Sequence, residues 1–100
     1  MAMKIEHKEN GTELTVALEG RLDTTTAPEL EADLKNSLDG LTVLILDFEK
    51  LEYISSAGLR VLLSAQKVMN KQGDMTLRNV SPEIMEIFEV TGFVDILNIE

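Results

Sequence analysis

The chain has no cysteine and no tryptophan, a single histidine, two prolines, one tyrosine and three phenylalanines in its 100 residues. Without thiols there can be no disulfide framework, thiolate nucleophile or cysteine-based metal site, and the redox compartment is left open. His7 falls on a predicted strand with no acid or nucleophile beside it in sequence, so it reads as a sheet-surface residue rather than the base of a Ser-His-Asp set. The aromatics Phe48, Tyr53, Phe88 and Phe93 are too few and too apolar in setting to stack nucleic-acid bases. No Gly-rich phosphate loop is present, since Gly58 stands alone. No apolar run approaches the roughly 20 residues of a membrane span. Met1 to Ile5 is too short and too polar for a secretory signal, which makes the cytoplasm the expected location. Catalysis is therefore not expected.

Cations are also scarce. Nine Lys and Arg stand against 18 Asp and Glu, a formal charge of −9, which repels nucleic acid and anionic membranes. An acidic surface suits a basic protein face, or serves solubility alone, and composition leaves both readings open. A metal would have to be held by carboxylates, and Glu29, Glu31, Asp33, Glu83, Glu86 and Glu89 read as solvated helix faces, so no metal site is expected.

What is present is a regular alternation of strand and helix patterns. Met3, Ile5 and His7 alternate with polar residues, as do Leu14, Val16 and Leu18, and Asn10-Gly11 between them favours a tight primed turn, which predicts an antiparallel hairpin. Thr26-Ala27-Pro28-Glu29 has the spacing of a capping box and opens a helix with Ala27, Leu30, Leu34 and Leu38 on one face, closed by Gly40. Leu41 to Leu46 is nearly all apolar and reads as a central strand buried on both faces, ending near Phe48. A second helix from about Ser56 to Gln72 carries Gly58, Val61, Leu62, Ala65, Val68 and Met69 as its core stripe and stops at Gly73. Met75 to Val80 reads as a strand, and Ser81-Pro82-Glu83 starts a short helix with Ile84, Ile87 and Phe88 toward the core, stopped by Gly92. Val94, Ile96 and Ile99 form a last apolar segment, either an edge strand or a packed tail. The pattern predicts one α/β domain over residues 1–100, with a mixed sheet of four or five strands packed with helices.

The strand-to-helix junction Tyr53-Ile54-Ser55-Ser56-Ala57-Gly58-Leu59-Arg60 concentrates the chemistry. Amide groups at a helix N-terminus lack partners and the dipole is positive there, so a hydroxyl, carboxylate or phosphate is stabilised. A serine at this place is either an N-cap, which spacing alone favours, or a phosphorylation site adding about −1.5 to −2 charge. Asp23, after the second strand, and Asp47, toward the end of the central strand, could lie near Ser56 at the carboxyl ends of parallel strands, although Asp23 before its threonines could equally cap a turn.

Gly20-Arg21-Leu22-Asp23, the strand Val43 to Phe48, Leu51, the segment Tyr53 to Arg60 and Gly73 together resemble the STAS domains of bacterial anti-anti-sigma factors (anti-sigma factor antagonists) along nearly the whole chain. STAS modules also occur in transporters and larger regulatory complexes. The resemblance implies a STAS-like fold and partner switching. The unphosphorylated domain would bind an anti-sigma factor that is also a GHKL-type serine kinase, releasing a sigma factor; phosphorylation reverses this and a PP2C-type phosphatase restores the active form. ATP belongs to the kinase, so no cofactor is implied here. The family is modified at the start of this helix, in Asp-Ser-Ser/Thr-Gly-Leu. Aligned on Gly58-Leu59, the modified position is Ser56. Ser55 stands where relatives carry Asp and is the second candidate, and Ala57 replaces a Ser or Thr. The resemblance also implies a partner surface of Asp23, Thr24, Ser55, Ala57, Gly58 and Arg60. A competing reading is an unmodified STAS scaffold or accessory subunit, of a transporter for example, in which Ser56 is only a cap.

Overall fold

Strands and helices alternate along the chain in the computed structural model, which describes residues 3–100. The elements are β1 (Lys4–Asn10), β2 (Glu13–Leu22), α1 (Ala27–Ser37), β3 (Val43–Ile54), α2 (Ser56–Met69), β4 (Asp74–Arg78) and α3 (Pro82–Thr91), followed by a 3-10 turn at Phe93–Asp95. The sheet order is β1-β2-β3-β4, with β1 antiparallel to β2 and the other pairs parallel. The predicted mixed sheet is therefore present, α1 and α2 serving as the crossovers that parallel neighbours require. The hairpin turn falls one residue later than expected. Asn10 still pairs with Glu13, and the two-residue loop is Gly11-Thr12, Gly11 taking φ 63 as the first central residue of a primed turn.

The core lies on one face of the sheet. Leu14, Val16 and Leu18 of β2, Leu44, Leu46 and Phe48 of β3 and Met75 and Leu77 of β4 are buried, in one cluster with Leu30 and Leu34 of α1, Leu62 and Met69 of α2, and Ile84 and Phe88 of α3. Intervening residues Thr15, Ala17, Asp47 and Thr76 are half-buried, the alternation of a sheet with one covered face. Leu44, Ile45 and Leu46 are all buried, but only Leu44 and Leu46 belong to the core cluster, and Ile45 lies on the other face between half-buried Thr15 and Thr76. Leu41 and Val43 are only half-buried, so the strand is not covered on both faces along its length as its apolar run predicts.

Several local expectations are corrected. β3 does not stop near Phe48 but runs on to Ile54, because register shifts against β2 between Ala17 and Glu19 and between Gly20 and Arg21 let the pair continue. The Thr26 capping box does not form: the Thr26 hydroxyl donates instead to the Arg21 carbonyl at 2.7 Å and accepts from the Asp23 amide at 2.8 Å. Val68 is 41% exposed rather than in the core stripe. His7 is exposed on β1, as expected of a sheet-surface residue, but Asp33 is not simply a solvated helix residue, since its Oδ2 lies 2.6 Å from His7 Nε2 and links α1 to β1. The last apolar segment is part tail, part edge. Ile99 bridges Leu77 in parallel, with Leu77 donating to the Asn98 carbonyl and Glu100 to the Leu77 carbonyl, each at 2.9 Å.

Candidate functional site

β2 and β3 end together at the pair Leu22 and Ile54, whereas the pairing of β3 with β4 ends earlier, at Asp47 and Arg78. The two longer strands thus carry their terminal loops beyond β4. The Ser55 amide donates to the Leu22 carbonyl at 2.9 Å, so the chain entering α2 is hydrogen-bonded to the chain leaving β2. That single bond brings the two predicted groups, the Asp23 loop and the serine pair, to one end of the sheet.

At the start of α2 the two serines differ. Ser55 is extended (φ −101, ψ 175) and its Oγ accepts from the Gly58 amide at 3.3 Å, so it is the N-cap. Ser56 is the first helical residue and is exposed. No acidic residue occupies the first turn, which leaves the positive end of the dipole without a counter-charge from the helix itself. Gly58 is buried there, and a Cβ on it would lie 2.7 Å from Leu22 Cγ and 2.8 Å from Ile54 Cγ1. Both of those side chains are core, so only glycine lets the helix N-terminus sit this close to the strand ends. Ala57 is half-buried and Arg60 is exposed one turn along.

The loop after β2 is organised by Asp23. Its Oδ1 accepts from the Thr25 hydroxyl at 2.8 Å and from the amides of Thr25 and Thr26 at 3.0 and 3.1 Å, while its carbonyl accepts from the Ala27 amide at 2.8 Å. The carboxylate thereby closes the turn that leads into α1, as an Asp before its threonines can, while Thr26 holds the N-cap position without a side-chain cap bond. The Thr25 hydroxyl first, then the Thr26 amide, hold the Asp23 carboxyl below its ordinary value against an opposing effect of burial, with smaller help from the Thr25 amide and the Thr26 hydroxyl. A carboxylate kept ionised in this way is the opposite of a proton donor. Thr24 lies exposed in the same turn.

Two residues to which the sequence assigned no role complete this end of the sheet. Arg21 and Tyr53 are cross-strand partners; the guanidinium carbon lies 4.2 Å from the Tyr53 ring centroid, and Arg21 Nε is 3.9 Å from Asp23 Oδ2. This cation-π stack depends on the register shifts in β2, which no local pattern announces. Asp47, by contrast, does not join the site. It accepts from Asn79 Nδ2 and the Glu49 amide, each at 3.0 Å, and β3 continues beyond it to Ile54. At about 3.3 Å per residue that places it on the order of 20 Å from the serines. Among the described residues, no group of three or more His, Cys, Asp or Glu is arranged to hold a metal ion.

The STAS domain family model matches residues 4–100. BtrV of Bordetella bronchiseptica, described as a candidate anti-sigma factor antagonist, is 41% identical over 85 residues, covering 83% of this chain and 73% of that protein. The anti-sigma-B factor antagonist of Listeria monocytogenes is 32% identical over 104 residues, covering 100% of this chain and 90% of its own. The structure of the Bacillus cell fate determinant SpoIIAA in its phosphorylated form superposes with a TM-score of 0.76 at 20% identity, over 97% of this chain and 91% of that one.

Proposed function

The chain belongs to the STAS domain family of anti-sigma factor antagonists, and we propose that it acts by partner switching controlled at Ser56. In this reading the unmodified protein binds an anti-sigma factor that is also a GHKL-type serine kinase, which frees the sigma factor. Phosphate on Ser56 dissolves the complex, and a PP2C-type phosphatase reverses the modification. Such partners put the protein in the cytoplasm, and it needs no cofactor of its own.

The observation that carries the reading is the division of labour between adjacent serines: Ser55 Oγ is engaged as the cap of α2 while Ser56 stands exposed in the first turn. Phosphate at Ser56 would meet the free amides and positive dipole of a helix that has no acid in its first turn, so the fold tolerates it. Arg60 lies four residues on, within side-chain reach of that phosphate on the helix surface. An interface is less tolerant. Burying about −1.5 to −2 additional charge against a partner costs more than any single contact returns, unless the partner supplies cations. Asp23, which stays ionised, adds like charge at the same end of the sheet and joins Thr24, Ser55, Ala57, Gly58 and Arg60 in the partner surface.

The test is to isolate the protein from its native cells, locate phosphate by mass spectrometry and measure kinase binding by variants. Phosphate on the Ser56 peptide is expected, with Ser56→Ala binding the kinase but taking up no phosphate and Ser56→Asp binding more weakly. Equal phosphorylation of Ser56→Ala would remove Ser56 as acceptor. An absence of phosphate at either serine under all growth conditions would instead favour an unmodified scaffold.

A further inference from the structure

Among the described residues, part of the apolar surface of helix α3 is left uncovered. Of its residues, Ile84 and Phe88 are buried, the Phe88 ring lying 6.4 Å from that of Phe48. Ile87, which helical spacing assigns to the same core, is only half-buried, and Val90 is 80% exposed. These two, with Glu83, Glu86 and Thr91, line a shallow groove of about 370 Å³. Past Gly92, Val94 and Ile96 remain 40% and 47% exposed. Two apolar side chains at the surface are ordinary by themselves; what sets this groove apart is the acidic rim around them.

The charges around it point to what would fill it. Glu83, Glu86 and Glu89 follow one another at i, i+3 spacing, where like charges repel along the helix surface. Glu89 also lies in the last turn, where the dipole disfavours an anion, and no basic residue is there to offset it. From Pro82 to Glu100 the sequence contains no Lys, Arg or His, and Arg78, just upstream, is engaged with Glu100 at 2.8 Å. Glu83, in the first turn, is favoured by the dipole, but Glu86 and Glu89 gain nothing from it and repel along the surface. A second copy of the chain would bring the same carboxylates face to face in a molecule whose formal charge is already −9, so self-association through this face is disfavoured.

We propose that the Ile87–Val90 groove of α3 docks a basic amphipathic helix from a protein partner. Its apolar side chains would cover Ile87 and Val90, and its Lys or Arg residues would face Glu83 and Glu86. The surface shares no residue with the Ser56 end of α2, so it extends beyond the switching reading and does not depend on it.

The test uses the full chain, isotope-labelled, titrated with a synthetic helix of about 18 residues built from Leu and Lys at amphipathic spacing. Controls are the same composition in scrambled order and a Leu/Glu counterpart. Saturable amide shifts centred on Ile87, Val90 and Thr91 are expected, with affinity falling roughly tenfold on Val90→Asp or Glu86→Lys and for the scrambled peptide. Both residues are exposed, so the variants should fold, which circular dichroism checks. A second groove lies between α1 and α2, lined by Leu34, Val61 and Val68 among others. Equal binding of the scrambled peptide or of the Leu/Glu peptide, indifference to Val90→Asp, or shifts centred on that second groove would each overturn the proposal.

Discussion

The backbone amide of Ser55 donates to the carbonyl of Leu22 at 2.9 Å, tying the first residue before α2 to the last residue of β2. Because Asp23 follows Leu22 and Ser56 follows Ser55, this bond fixes the acidic loop and the exposed hydroxyl as neighbours on one rigid strand end. The partner surface proposed for this protein is thus built on the sheet rather than on two independent loops.

Ser55 and Ser56 should respond differently to the same substitution. Ser55→Ala removes the hydroxyl that accepts from Gly58 and should cost about 1 kcal/mol. Ser56→Ala, at an exposed position, should stay within about 0.5 kcal/mol of the parent. Urea unfolding of the two variants checks this; a larger loss for Ser56→Ala would reverse the assignment of the cap.

Gly58→Ala tests the close approach of α2 to the strand ends. Alanine gains up to about 1 kcal/mol of helix propensity over glycine, less in a first turn. Its methyl would meet Leu22 and Ile54 at 2.7 and 2.8 Å, an overpacking that costs about 1–3 kcal/mol. Overpacking should win, lowering the melting temperature by several degrees and weakening binding of the proposed kinase partner as the helix start shifts. A variant more stable than the parent would show that the contact yields easily.

Asp23 sets an acid limit. Its carboxyl is held below the ordinary value first by the Thr25 hydroxyl, so folded protein binds a proton there less readily than unfolded chain. The stability it contributes is complete above the ordinary carboxylate range, near pH 4, and is lost as pH falls through the lower folded value. Thr25→Val should raise the Asp23 titration, followed by carboxyl carbon NMR, toward its ordinary value, and Asp23→Asn should flatten this part of the stability profile. An unmoved Asp23 titration in Thr25→Val would assign the shift to the backbone amides instead.

The mixed sheet, the three helices and the serine-bearing junction were legible because each is written in a local pattern. Alternation marked β1 and β2, an apolar run marked the core of β3, and helical spacing with Gly and Pro punctuation bounded α1, α2 and α3. Reading failed where a side chain's role is decided by a partner far away in sequence. The hydroxyl of Thr26 has the position of a cap, yet the Arg21 carbonyl takes it. Val68 keeps the apolar period but lies at the margin of its stripe, 41% exposed, and Ile87 is only half-buried against the core. Beyond Phe48, Glu49, Lys50 and Glu52 conceal the continuation of β3 because the bulged pairing removes the simple alternation.

By itself the sequence determined the class of fold, the existence of a polar helix start with two adjacent hydroxyls, the acidic character of the surface and the family. All of these follow from periodicity, composition and a contiguous motif. Tertiary structure alone decided which serine caps and which is exposed, that Asp47 lies far from the serines, and that Arg21 stacks on Tyr53. Those outcomes depend on strand register and on hydrogen bonds between residues some 30 positions apart, such as Leu22 and Ser55, and no window along the chain encodes such a distance.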